Sequence, residues 1–267
     1  MNKEKSIWIH KLIIVALMIY LFTPILGTFI YSIAKEWSYS VLPDSYTFQW
    51  YGELLQDPAF YSALGRTLFI VIGTVTLSVF IMVPTVFIVV TFFPKWERLL
   101  QGLSLLRYGI PPVVAAIGLI QMYASGIIPI YGTFWILFGA YFVLILPFMY
   151  QGIRNSIRTV NATDLMESAE LLGASKVRSF ISIIFPNIIS GIIVSTVLSV
   201  AFLFGEFVFA NLLVGGQFET IQILIYNKLE TNGHSVSAII ILYYFILLLI
   251  SGFIIKIGMR SNKKAAS

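Results

Sequence analysis

The chain has 267 residues, 58% hydrophobic and 11% charged, with a mean hydropathy of +0.91 and a formal net charge of +5. Soluble domains are about a quarter charged, so this composition excludes an ordinary soluble domain and places the chain in a bilayer. It has no cysteine and only two histidines, His10 and His234. That excludes a disulfide framework, thiolate metal sites, cysteine nucleophiles and a His-based metal centre.

Six apolar blocks lie near residues 12–34, 64–93, 103–124, 127–150, 187–210 and 237–258. They match the roughly 20 residues a helix needs to cross about 30 Å of hydrocarbon. The first follows the basic stretch Met1 to Lys5 and imitates a signal peptide, but it is long and no small-residue cleavage site follows, so it reads as a retained span. The 35–62 segment turns at Pro43 and Asp44, and its Trp50, Tyr51 and Tyr61 suit a membrane interface. Pro111, Pro112, Gly118, Gly126 and Pro129 interrupt the third and fourth blocks. Pro111, Pro112 and Gly118 loosen a helix where backbone carbonyls can line a cavity, which is tolerated only away from lipid. Gln121 in the same block can bond a passing solute or hold a neighbouring helix.

The expected fold is an all-α membrane protein of six transmembrane helices, one domain over residues 1–267 without an internal repeat. Placing both termini and the 94–107 and 151–186 loops on one side collects fourteen of the seventeen Lys and Arg, leaving Lys35, Arg66 and Lys228 opposite. Both termini are therefore expected in the cytoplasm. Topology accounts for the positive charge, which gives no support for nucleic-acid binding.

Residues 161–186 form a charged interlude between the fourth and fifth blocks. In "NATDLMESAELLG", Leu165, Ala169 and Leu172 share one helix face, while Asp164, Glu167 and Glu170 share another. Asn161 or Thr163 can cap the start, and Gly173 can take the left-handed conformation that ends the helix. "SKVRSFISII" restarts as a second helix capped by Ser175, and Phe185-Pro186 is expected to redirect the chain into the fifth span. Two helices around a glycine also outline a helix-turn-helix DNA reader, but Lys176 and Arg178 alone supply too little charge for phosphate contacts. Within the fifth block, Glu206 is an isolated acid among Phe202, Phe204, Phe207 and Phe209. Such a group faces a watery cavity or sits at the outer interface.

The interlude resembles the hallmark of the membrane permease subunits of binding-protein-dependent type I ABC importers. That hallmark is Glu-Ala-Ala, three residues, Gly, nine residues, Ile, one residue, Leu-Pro. Here Glu167, Ser168 and Ala169 are followed by Gly173, Ile183, Phe185 and Pro186, with Ser168 in place of Ala and Phe185 in place of Leu. The resemblance implies that residues 161–186 are a cytoplasmic pair of coupling helices that docks on an ABC ATPase dimer. The ATPase would bind ATP and Mg, whereas this chain lacks a Gly-x-x-x-x-Gly-Lys-Ser/Thr loop and would hold no cofactor. Further implied partners are a second permease subunit, identical or a sister chain, an extracytoplasmic substrate-binding protein and membrane lipid. The implied location is the inner membrane of a prokaryote, with Glu206 and Gln121 as candidates for the translocation path.

"YTFQWYGELL" followed by "FYSALGRTLFI" is similar to permeases for polyamines, aminoethylphosphonate and ferric iron. A cationic polyamine, spermidine or putrescine, would rationalise Glu206 and is the leading expectation. Aminoethylphosphonate or ferric iron is the alternative. From another class, a self-contained secondary transporter would need paired broken helices in two related halves, and only one interrupted region is visible.

Overall fold

The computed structural model describes residues 2–37, 40–125 and 128–265. Gly126 and the side chains of the Met1 to Lys5 stretch lie outside the described residues. In chain order the elements are α1 (Asn2–Ile33), β1 (Ala34–Glu36), β2 (Ser45–Tyr46), α2 (Gln49–Leu54), α3 (Pro58–Phe92), α4 (Pro94–Gly109), α5 (Pro112–Tyr123), α6 (Phe134–Thr159) and α7 (Ala162–Leu171). They continue with α8 (Lys176–Ser179), a π-helical turn (Phe180–Ile184), α9 (Phe185–Phe204), α10 (Val208–Leu213), a 3-10 turn (Gly215–Phe218), α11 (Ile221–Lys228) and α12 (Gly233–Ala265).

Five helical stretches among the described residues are long and apolar enough to cross a membrane: Trp8–Ile33, Pro58–Phe92, Phe134–Thr159, Lys176–Phe204 and Gly233–Met259. The all-helical membrane architecture is therefore present, with one small antiparallel β1–β2 hairpin that the composition did not announce.

The third block departs from expectation. It is not one straight span but two helices, α4 and α5, bent by 102°. Proline is the cause. Pro111 drives Ile110 into extended backbone, φ −117° and ψ 119°, and Pro112 opens α5 at its start, where a missing N–H costs nothing. The segment expected as a 94–107 loop is itself helical, begun by Pro94 with Glu97 in its first turn. The fourth span is shifted to Phe134–Thr159, and the fifth ends at Phe204 rather than running on to 210.

The chain divides into two compact units. The first comprises Met1–Phe60 and Ile225–Ile246. Its helix α1 is apolar and solvent-exposed from Trp8 to Gly27, Trp8 at 72% and Tyr20 at 75%, as a lipid-facing helix would be. The residues after α1 are knitted by polar contacts: Trp50 donates its indole N–H to the Ala34 carbonyl at 2.8 Å, and Tyr51 shares a 2.7 Å hydrogen bond with Ser32. His234 stacks on Tyr31 at 4.0 Å between ring centroids, and its Nδ1 lies 2.9 Å from the Tyr31 carbonyl.

Lys228 forms an ion pair with Asp57. That hydrogen bond holds the Asp57 carboxyl below its usual value, assisted by the Ala59 backbone N–H and opposed by partial burial. Because the folded-state pKa is depressed, the stabilisation is complete above the unfolded carboxylate pKa and is lost as pH falls through the folded value. Both groups are partly exposed, so the effect is on the order of 1 kcal/mol or less. Melting of the detergent-purified chain should fall between about pH 5 and pH 2, and Asp57→Asn should flatten that fall. An unchanged acid slope in the variant would count against the pair.

The second unit comprises Tyr61–Leu224 and Leu247–Ser267. Its centre is the packing of α6 on α9. Leu137, Tyr141, Ile145, Met149 and Ile153 are buried along one stripe of α6, and Ile188, Ile192, Ser195, Ser199 and Leu203 along one stripe of α9. Gly152 and Ser156 of α6 meet Gly191 and Ser195 of α9, and the Ser195 hydroxyl returns to the Gly191 carbonyl at 2.7 Å. Small residues let two helix backbones approach in lipid, where water supplies no hydrophobic drive between them.

Candidate functional site

The interlude leaves the end of α6 through Asn161, which takes the left-handed conformation, φ 51° and ψ 53°, at the start of α7. Its side chain makes no capping hydrogen bond, so it turns the chain without the expected side-chain cap. Ala162, Met166 and Ala169 form the buried face of α7. The expected apolar face is thus rotated: Ala169 belongs to it, but Leu172 does not. Leu171 and Leu172 are each 89% exposed. Glu167 and Ser168 are also exposed, and the Ser168 hydroxyl bonds back to the Asp164 carbonyl at 2.8 Å.

The end of α7 is fixed. Gly173 has φ +86°, its N–H donates to the Glu170 carbonyl at 2.9 Å, and the Ala174 N–H donates to the Ala169 carbonyl at 3.0 Å. This pair of bonds is a Schellman cap, which needs a residue that tolerates positive φ. Ser175 then caps α8, accepting from the Arg178 N–H at 3.4 Å.

From Lys176 the chain stays helical through Phe204, so Phe185-Pro186 does not redirect it. Phe185 is helical, φ −55° and ψ −47°, and its N–H reaches the Phe180 carbonyl five residues back. Proline lacks an N–H, and the π turn just before it absorbs the interruption by shifting the bonding register. Ile183 and Pro186 are half-buried and Phe185 is 37% exposed.

Where α6 ends, Glu97 of α4 pairs with Arg154 and with Arg158, whose Nη2 lies 2.8 Å from the Glu97 carboxylate. Glu97 is buried, and a cavity of about 280 Å³ next to it is lined by Pro94, Arg158, Asn161 and Thr163. Sequence reasoning missed this triad. Pro94 followed by an acid three residues later is a helix-start signal that could have exposed α4, though not its partners.

A larger cavity, about 1030 Å³, opens among α4, α5, α6, α9 and α10. Of the residues that break the third block, Pro112 and Gly118 line it and Pro111 does not, while Gln121 is exposed on α5 and outside its lining. Arg107 and Glu206 are the charged residues of its lining.

Glu206 lines the cavity, the first of the two alternatives, and its carboxylate is bonded there to backbone. It is 9% exposed, in the break after α9, where its Oε1 accepts from the Phe209 N–H at 2.8 Å and its Oε2 from the Ala210 N–H at 3.2 Å. Both oxygens cap the first turn of α10, where free N–H groups and the helix dipole favour a negative charge. The carbonyl of Phe204 is satisfied in turn by the Gln222 side chain at 2.9 Å.

Arg107 was counted with the cytoplasmic loops, yet its guanidinium reaches the Leu144 carbonyl, midway along α6. Its Cζ lies 4.1 Å from the Phe202 ring centroid and 5.1 Å from that of Phe148. The bend after Gly109 puts this residue beside the cavity instead of in a loop.

The sequence matches the family described as "Binding-protein-dependent transport system inner membrane component" over residues 86–260. It is similar to proteins of Salmonella paratyphi A and Salmonella typhimurium that carry the name 2-aminoethylphosphonate transport system permease protein PhnV. Each is 24% identical over 195 residues, 72% of this chain and 71% of the relative. Its fold resembles a chain of a bacterial ABC transporter that imports the acidic polysaccharide alginate, with TM-score 0.76, 16% identity and 96% of each chain covered. It likewise matches a chain of a bacterial alginate ABC transporter in complex with an alginate-bound periplasmic protein, with TM-score 0.77, 17% identity, 97% of this chain and 96% of the other.

Proposed function

This chain belongs to the binding-protein-dependent transport system inner membrane component family, the permease subunits of type I ABC importers, and from that membership we propose that residues 161–186 couple it to an ABC ATPase. The observation that carries the reading is the pair Leu171 and Leu172, both 89% exposed beside a Schellman turn that fixes their direction. Exposed leucines on a short helix outside the long spans fit an apolar groove on a partner better than water. Val177, 69% exposed, is a further exposed apolar residue past the turn.

The partners follow from the family. An ATPase dimer holds ATP and Mg, a second permease subunit, identical or sister, completes the path, and a substrate-binding protein delivers solute from outside. ATP moves the permease only by binding one conformation of the complex better than another. We propose that both termini lie in the cytoplasm, which requires the bent α4–α5 pair to serve as a sixth crossing beside the five long helices. With Arg107 set aside, thirteen of the seventeen Lys and Arg still fall on the side of residues 161–186.

For the solute we favour an aminophosphonate of the 2-aminoethylphosphonate kind. The polyamine expectation rested on Glu206 as an acid turned to the solute, and each of its oxygens already accepts from an N–H group of α10. The names of the curated relatives support the aminophosphonate reading.

The test of coupling is Gly173→Val. A β-branched residue resists positive φ at a cost of about 1–2 kcal/mol, and the turn that aims Leu171 and Leu172 should open. Membrane insertion should stay normal while ATPase co-purified in mild detergent falls roughly tenfold. Co-purification at the wild-type level would refute the coupling role of this turn.

A further inference from the structure

Arg107 is the cation that lines the large cavity of the second unit, and it has no ion pair among the described residues. Arg154 and Arg158 share Glu97, but no carboxylate lies within ion-pair distance of Arg107 among the described residues. A guanidinium carries five N–H donors. One goes to the Leu144 carbonyl, and no other hydrogen bond from Arg107 is found among the described residues. The group is half-buried, which for an uncompensated charge next to membrane-spanning helices calls for a water-filled or ligand-filled neighbour. That neighbour is the cavity of about 1030 Å³, whose other charged lining residue, Glu206, has both oxygens engaged by α10.

The side chain is also held in place. Its Cζ lies 4.1 Å from the centroid of Phe202, 5.1 Å from Phe148 and 5.1 Å from Tyr108, and the Phe148 and Phe202 rings are themselves 5.4 Å apart. Stacking on aromatic faces offsets part of the desolvation of a guanidinium and leaves its planar edge as a preformed fork. Such a fork matches two oxygens of a phosphonate, phosphate or carboxylate.

We propose that Arg107 is an anion-binding contact of the cavity, a guanidinium clamped over Phe202 and Phe148 that takes the phosphonate oxygens of the solute on its way through. The inference rests on the aminophosphonate reading above. Because a receptor protein delivers the solute, Arg107 acts on the passage step, and its loss lowers the maximal rate while leaving half-saturation unchanged.

Two experiments on the assembled transporter test this. In the first, uptake of 2-aminoethylphosphonate and of spermidine is compared in wild type, Arg107→Gln and Arg107→Lys, with assembly verified by ATPase co-purification. Arg107→Gln should cut the maximal rate of 2-aminoethylphosphonate uptake roughly 10- to 100-fold, and Arg107→Lys should recover part of it through charge alone. Wild-type uptake of spermidine without 2-aminoethylphosphonate would overturn the substrate reading and this inference together. Uptake of 2-aminoethylphosphonate that Arg107→Gln leaves intact would overturn this inference alone.

The second experiment uses the natural absence of cysteine from the chain. In Arg107→Cys, aminoethyl methanethiosulfonate adds a cation to the single thiol and sulfonatoethyl methanethiosulfonate adds an anion. The cationic reagent should raise uptake and the anionic one should not, with the treated wild-type complex as control. A thiol that neither reagent reaches, or equal effects of the two, would make Arg107 a packing tie between α4, α6 and α9 and end the proposal.

Discussion

Gly191→Leu is expected to disrupt the packing of α6 on α9 strongly. A Cβ on Gly191 would overlap the Ser156 hydroxyl, lie 2.6 Å from the Ser156 Cβ and fall 2.8 Å from the carbonyl oxygen of Gly152. The hydroxyl can rotate away, but the carbonyl belongs to the backbone of α6 and moves only with the helix. Overpacking of this kind costs about 1–3 kcal/mol, and the rigid backbone obstacle places Gly191→Leu at or above the top of that range. Gly152→Ala also overlaps a hydroxyl, that of Ser195, but meets the Ser195 Cβ at 3.1 Å and the backbone carbonyl of Gly191 only at 3.3 Å, so it should be milder. Gly118→Ala in α5 meets nothing within 4 Å and should be neutral or slightly stabilising, since alanine favours a helix by about 1 kcal/mol over glycine. Thermal unfolding of the detergent-purified chain should rank the three in that order. The seam lies between the helix that enters the interlude and the helix that leaves it, so Gly191→Leu should also reduce ATPase co-purification. A wild-type melting temperature for this variant would mean that α6 and α9 do not approach at these glycines.

What the sequence disclosed was mostly local chemistry. The positive φ of Gly173 and the cap at Ser175 are set by a few adjacent residues, and both were legible because each pairs with backbone two to four positions away. The apolar blocks were legible as spans for the same reason, since length and composition are properties of a segment. The bend between α4 and α5 was half legible. Two prolines signalled an interruption, but not that the preceding charged segment would be helical or that the turn would approach a right angle. The cavity-lining place of Glu206 was legible as one of two alternatives, but its partners were not, since they are backbone N–H groups three and four residues ahead that any sequence supplies. An acid just before a restarting helix was the overlooked signal. The rotated face of α7 has another cause: Leu172 and Ala169 are equally apolar by pattern, but the left-handed turn at Gly173 ends the helix before Leu172 can pack. Arg107 and Glu97 were out of reach. Their partners lie 37 to 61 residues away, and no periodicity within α4 identifies them.

Glu97 carries the second large expected effect, because one buried carboxylate serves two arginines. Its side chain is 12% exposed, against 22% for Arg154 and 53% for Arg158. Removing one partner of a fully buried pair costs about 3–5 kcal/mol, chiefly by stranding the opposite charge. Arg158 can turn to water, so Glu97→Ala should cost less, about 2–3 kcal/mol, with most of the loss coming from Arg154. The double variant Glu97→Ala with Arg154→Met should recover part of that loss, since it removes the stranded cation as well, and a double-mutant cycle isolates the coupling between the two. The functional consequence follows from position. Arg154 and Arg158 sit in the last two turns of α6, Arg158 three residues before the left-handed Asn161 that opens the interlude, so the triad ties α4 to the base of the segment proposed to face the ATPase. Freed from Glu97, that base should move independently of α4. ATP hydrolysis in the assembled complex would then continue while solute uptake falls. Measuring both rates in Glu97→Ala separates this outcome from simple instability, which would lower the two together. Wild-type stability and wild-type uptake in Glu97→Ala would reduce the triad to a surface ion pair of no consequence.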